Sequence, residues 1–142
     1  MYKINVKRTS EKAGIPQLNG SLYNITCIDI NTRVGRDGRL ILVYRTGLKI
    51  EMPLDKIGMI IPRVDASMYS VEFAGGLKTI NPGTYDELVI EMKTNTDSIP
   101  AIFEPGDVIC SLAITDITAV EFNEEIETIE PLVEEVTETA EA

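Results

Sequence analysis

Residues 39–52 read RLILVYRTGLKIEM, and the fold class turns on this stretch. Leu40-Ile41-Leu42-Val43-Tyr44 is a short apolar run rich in branched and aromatic types. After Arg45-Thr46-Gly47 and Leu48 the chain resumes with the alternation Lys49-Ile50-Glu51-Met52. An apolar residue at every second place sets one face against a core and the other in water, which is the period of a strand. The run is also far shorter than the ~20 apolar residues that a membrane-spanning helix needs.

Outward from there the texture repeats between residues 2 and 118. Short runs rich in Val, Ile and Tyr alternate with turn signals at Arg36-Asp37-Gly38, Gly75-Gly76, Asn81-Pro82-Gly83 and Glu104-Pro105-Gly106-Asp107. That pattern predicts an all-β domain. The expected strands are residues 3–7, 23–30, 39–44, 48–52, 57–61, 70–73, 87–92, 101–103 and 108–114. Little helix is expected, a single turn at residues 66–69. There is no internal repeat, and no linker before Ile117.

The chain has 142 residues, with 13 Lys+Arg, 23 Asp+Glu, no His and a formal net charge of −10. That length fits one domain. With no histidine, Ser/His/Asp and Cys/His nucleophilic sites are excluded, and two thiols cannot fill a tetrahedral zinc shell. No metal ligands are expected, and any chemistry falls to carboxylates, hydroxyls, amides or Arg. Cys27 and Cys110 sit in apolar stretches and read as buried, reduced thiols. The N-terminus lacks an apolar signal-peptide core, so a cytoplasmic location is expected.

The acidity is concentrated. Residues 119–142 hold nine Glu and no Lys or Arg, leaving 14 acids against 13 bases in the rest. The chain therefore divides into a nearly neutral β domain, residues 1–118, and an acidic tail or arm, residues 119–142. Such a segment repels nucleic acid and anionic membranes, and neither is expected as a partner. Within it Phe122, Ile126, Ile129, Val133 and Val136 recur at helical spacing and would form one apolar stripe, interrupted at Pro131. Two readings stand: a disordered, solubilising tail, or a segment that orders against a neighbouring subunit or a protein partner.

The order of motifs resembles the trimeric dUTPase family. The carrying residues are Ile4-Asn5-Val6-Lys7-Arg8 with Ala13-Gly14-Ile15-Pro16, then Tyr44-Arg45-Thr46-Gly47-Leu48 and Met52-Pro53. Gly58-Met59-Ile60-Ile61-Pro62-Arg63, the stretch from Gly76 to Met92, and Pro105-Gly106-Asp107-Val108-Ile109 follow. Residues 79–92, TINPGTYDELVIEM, also look like the related dCTP deaminases. The resemblance implies a jelly-roll-like β-barrel or sandwich that assembles as a homotrimer, with sites built between subunits.

Hydrolysis of dUTP needs a carboxylate to activate water, cations on the triphosphate and a pocket that reads uracil through backbone groups. Where the resemblance places a metal-site Asp, this chain has Asn24, and where it places the water-activating Asp, Asn81. Pro62 and Arg63 remain of the second motif, but Val64 and Asp65 replace its hydroxyls. Arg63 is the surviving phosphate ligand. Thr84 stands for the sugar-stacking Tyr, with Tyr85 one place along, and Val108 and Ser111 replace the Arg and Gln of the fourth motif. Arg63, Thr84, Tyr85 and Ser111 are thus the candidate nucleotide contacts. The Gly-rich closing arm is absent, and acid stands at that end of the chain.

Glu91 falls where the deaminases carry a catalytic Glu, yet strand alternation places it with Glu87 on the face opposite Leu88, Ile90 and Met92, so the solvent-facing reading is preferred. Asn24, Asn81 and Glu91 are therefore degenerate catalytic positions. The reading that results is a catalytically degenerate homotrimer of dUTPase fold serving as a structural or binding module, such as a viral capsid decoration or assembly protein, in host cytoplasm or virion. The alternatives are a diverged dUTP diphosphatase or a non-hydrolysing nucleotide sensor. No cofactor is expected, and Mg²⁺ only if the diphosphatase alternative holds.

Overall fold

A computed structural model describes residues 2–62, 71–94 and 103–127. Among them are ten strands and no helix: β1 (Val6–Arg8), β2 (Gln17–Asn19), β3 (Leu22–Thr26), β4 (Asp29–Val34), β5 (Leu40–Ile50), β6 (Lys56–Pro62), β7 (Val71–Phe73), β8 (Lys78–Ile80), β9 (Glu87–Thr94) and β10 (Val108–Asp116). They form two five-stranded sheets, one ordered β1-β5-β9-β7 with β4 also on β5, the other β2-β3-β10-β6-β8. Every pairing is antiparallel. The all-β expectation is met.

The core lies between the sheets. Leu42, Tyr44, Leu48, Ile50, Ile90 and Met92 of one sheet face Ile25, Ile60, Ile109 and Leu112 of the other. Each such side chain contributes roughly 1.5–3 kcal/mol when fully buried. The Tyr44 hydroxyl is satisfied inside this core, accepting from the Phe103 amide at 3.1 Å while the two rings meet edge to face. Cys27 and Cys110 are buried and unbonded to each other, as expected, and burial pushes the Cys110 thiol up to about 12.

Two expected strand boundaries are corrected. Residues 23–30 are two strands in different sheets, because the chain crosses the sandwich at Cys27-Ile28: the Cys27 amide donates to Asp107 and the Ile28 amide to Arg45. Conversely, the strands expected at 39–44 and 48–52 are joined into one, β5, which runs Leu40–Ile50 and leaves Arg39, Glu51 and Met52 outside it. Its register on β9 shifts between Arg45 and Lys49, where Gly47 takes a φ of 70°. The fully buried Thr46 closes this bulge by donating to the Leu88 carbonyl at 2.6 Å and accepting from the Leu48 amide at 3.2 Å. The side chain replaces the missing ladder bonds, and the strand continues.

Further along, β2 and β8 were not expected at all, and the expected strand at 101–103 is not seen at Phe103, its one described residue. The expected turn at 66–69 lies outside the described residues. No helix of the described chain is long and apolar enough to cross a membrane.

Candidate functional site

The β8–β9 connection is where the sequence places most of its candidate chemistry. Asn81-Pro82-Gly83-Thr84 closes as a type II turn: the Thr84 amide donates to the Asn81 carbonyl at 3.1 Å, Pro82 holds the first central position, and Gly83 supplies a φ of 80° at the second. The turn is tied to the β5–β6 connection by Gly83 N–H to the Met52 carbonyl at 2.8 Å and Met52 N–H to the Thr84 carbonyl at 3.2 Å. The Asn81 side-chain oxygen accepts from the Thr79 hydroxyl at 3.0 Å. An amide so engaged offers no basicity at neutral pH.

The two strands flanking this turn belong to different sheets. β8 pairs only with β6, and β9 pairs with β5 on one side, while β7 covers its other side only at Met92–Thr94. The facing edges of β8 and of residues 87–90 are therefore left without a strand between them. A cleft of about 440 Å³ occupies the gap, lined by Phe73, Leu77, Lys78, Thr79, Val89 and Glu91 among others. A smaller one of about 150 Å³ continues toward Thr84, Asp86 and Glu87. Tyr85 turns away from both. It lines a groove of about 340 Å³ on the other side of the turn, with Leu54, Pro53 and Ile4, so Thr84 and Tyr85 do not share a pocket.

Asn24 and Ser111 meet on the other sheet. They are directly opposed on β3 and β10, and Ser111 is opposed in turn to Ile61 on β6. Their neighbours Ile25, Cys110 and Leu112 point into the core, so this row lies on the outer face. Arg63 lies outside the described residues, next to Pro62, which pairs with Cys110. Along β6 the Ser111 row, at Ile61, and the Ile80 row, at Gly58, are three residues apart, about 10 Å of strand. One chain does not bring Asn24 and Ser111 together with Asn81.

Glu91 and Glu87 share one face of β9, as the alternation predicts. Glu91 accepts from Arg33 at 2.9 Å, and Glu87 accepts from Arg45 at 3.0 Å and from the Thr9 hydroxyl at 3.3 Å. The Arg45 guanidinium holds the Glu87 carboxyl below its ordinary value. These are paired surface carboxylates. The dUTPases' metal does not fit what remains: Mg²⁺ is held through carboxylates, and the Asn24–Ser111 row offers an amide and a hydroxyl. Among the described residues no three Cys, Asp or Glu side chains are grouped to hold a metal ion.

The C-terminal segment is described only in part. Residues 117–127 form neither helix nor strand in the single chain, and Phe122 and Ile126 stand 91% and 74% exposed. Ile129, Val133 and Val136 lie outside the described residues.

Comparison with solved structures decides the fold. A mutant of the Staphylococcus bacteriophage 80alpha dUTPase with dUpNHpp superposes with a TM-score of 0.68 at 18% identity, covering 92% of this chain and 94% of that one. The chain has the dUTPase fold. A mutant dUTPase from phage phi11 of S. aureus, whose structure describes the coordination of a structural Mg(II) ion, gives 0.67 at 19% identity over 92% of this chain and all of that one, 100%. Neither a protein-family model nor a curated protein matches the sequence. Within the dUTPase fold, the β8–β9 connection was the piece that sequence reasoning under-read. Its backbone edges carry the cleft, and only the Asn81-Pro82-Gly83 turn signalled it.

Proposed function

We propose that this chain is a catalytically degenerate protein of the dUTPase fold that works as a homotrimeric structural or binding module. What supports the reading is Asn81, the amide that the resemblance sets where the family has its water-activating carboxylate, with its oxygen engaged by the Thr79 hydroxyl. Losing a general base commonly forfeits on the order of 10²–10⁴ in rate. Asn24 and Ser111 supply no compensating charge. The separation of Asn81 from the Asn24–Ser111 row along β6 is in keeping with a site completed between copies, as the resemblance to trimeric dUTPases implies. A role in a virus particle is in keeping with the phage origin of the structural neighbours.

Pyrophosphate release from dUTP with Mg²⁺ tests this reading. The expected result is the background rate; turnover abolished by Arg63→Ala overturns it. In gel filtration with light scattering at high salt, the expected mass is three times the chain's 15.7 kDa.

A second reading, a nucleotide sensor without turnover, is favoured by the open cleft of about 440 Å³ between the β8 and β9 edges. Backbone N–H and C=O groups on such edges are the kind that read a planar base. Titration calorimetry with dUTP, dUMP and dCTP decides it, and heat from one of them selects this reading.

A further inference from the structure

The hairpin joining β4 to β5 brings Arg33, Arg36 and Arg39 around the turn Gly35-Arg36-Asp37-Gly38, and Lys93 of β9 lies beside it. Arg33 pairs with Glu91 at 2.9 Å and Lys93 with Asp37 at 3.2 Å, so acids hold these two cations in place. Arg39 approaches Asp37 only to 3.9 Å, and Arg36 is exposed with no acidic partner among the described residues. With Glu72, opposed to Lys93 in register, three acids stand against four cations. The unpaired guanidinium of Arg36 is the charge left for an incoming anion.

A cleft of about 390 Å³ opens between this hairpin and the turn after β7, lined by Arg33, Arg36, Lys93, Ile41, Ala74 and Gly75 among others. The β7–β8 turn gives the lining only Ala74 and Gly75, so a ligand can approach its backbone closely. A Cβ on Gly75 would meet nothing within 4 Å, which leaves that wall open. The amides of Arg36, Asp37 and Gly75 make no hydrogen bond among the described residues, and turn amides of this kind are donors for an anion. The cleft also shares Ala74 and Glu91 with the one of about 440 Å³ between β8 and β9, so the two adjoin.

We propose that the cleft at the tip of the β4–β5 hairpin binds the phosphate chain of a small polyphosphate-bearing molecule, with Arg36 as its principal ligand. A guanidinium fork matches two phosphate oxygens at once. Arg33 from β4 and Lys93 from β9 add charge from positions that Glu91 and Asp37 fix. These cations belong to the sheet opposite to that of Asn24, Ser111 and Pro62. A long nucleic-acid backbone fits less well, because the cations gather at one hairpin instead of along a stripe, and a net charge of −10 repels an extended polyanion. The adjoining larger cleft leaves room for whatever carries the phosphates. The inference rests on neither the catalytic reading nor the sensor reading.

Equilibrium dialysis of the full chain against sodium tripolyphosphate, without Mg²⁺ and at an ionic strength of about 0.05 M, tests the site. The wild type is expected to bind saturably. Arg36→Glu should weaken binding by about tenfold or more, as a charge-assisted contact is lost and a like charge gained. Arg36 has no partner in the described chain, so this change leaves the fold's own bonds intact. Lys12→Glu makes the same change of charge on an exposed lysine outside the cleft, and should leave affinity within about twofold. No binding by the wild type, equal losses in the two variants, or an Arg36→Glu variant that binds like the wild type each overturns the proposal. Dialysis against dUTP separates it from the sensor reading. Tripolyphosphate bound and dUTP not bound upholds this site and removes the sensor; dUTP bound equally by wild type and Arg36→Glu, with no tripolyphosphate bound, does the reverse. A single-stranded thymidine oligonucleotide held more tightly than tripolyphosphate, and released by Arg36→Glu, overturns the assignment to a small molecule.

Discussion

Asn24 on β3 and Ser111 on β10 stand directly opposite each other on the outer face of their sheet. Neither carries charge, and Asn81 lies in a different part of the same chain. It follows that Asn24→Asp, which restores one carboxylate, leaves pyrophosphate release from dUTP at the wild-type background, because the water-activating place is still an amide. Turnover in this single variant would show that the base lies elsewhere.

Thr46 performs two jobs at the β5 bulge, donating to Leu88 and accepting from Leu48. Thr46→Val keeps the shape and removes both bonds, leaving a buried carbonyl and a buried amide without that partner. The expected loss is about 1–3 kcal/mol in denaturant unfolding. Thr46→Ser should lose much less.

Gly47 beside it is constrained twice, by a φ of 70° and by contact. A Cβ there would come within 2.9 Å of the Ala13 Cβ and 3.0 Å of the Ile28 side chain. Gly47→Ala should therefore destabilise by about 1–3 kcal/mol. A thermal midpoint equal to the wild type's would mean that the bulge relaxes at no cost.

Glu87 is held below its ordinary value chiefly by its hydrogen bond from Arg45. A carboxyl depressed in the folded state stabilises above its unfolded pKa, ordinarily 4.5, and that contribution is lost as pH falls through the lowered folded value. As pH falls below about 5, wild-type stability should drop more steeply than that of Glu87→Gln. Equal slopes in urea midpoints would remove Glu87 from the acid limb.

Cys110 is buried and its thiol is pushed up to about 12 by desolvation, so almost none of it is thiolate near neutrality. A chromogenic disulfide reagent at about pH 8 should leave it unlabelled in the native protein and label it on unfolding. Rapid native labelling would mean that the β3–β10 side of the core opens readily.

The sequence made the strand texture legible because side-chain period and β-branched content report burial directly, as in the alternation from Glu87 to Met92. It did not reveal the two events at single residues. Nothing in the composition of Cys27-Ile28 marks a crossing between sheets, since both residues are as apolar as a continuing strand. Arg45-Thr46-Gly47 resembles a turn, and only the buried Thr46 hydroxyl makes it a bulge. The candidate positions Asn24, Asn81 and Ser111 were legible as residue types, and their grouping was not, because pairing register joins residues distant in sequence. The β8–β9 cleft was hidden for the same reason: free backbone edges leave no mark on side-chain identity.

β5 is bonded to β1 along one half, to β4 along the other, and to β9 across its opposite edge. A strand fixed on both edges over its length cannot fray without taking its partners with it. Its amides are therefore the clock of the whole fold: in hydrogen exchange they should be the last to take up deuterium, at the rate of global unfolding, while β2, whose three residues are all exposed, turns over first.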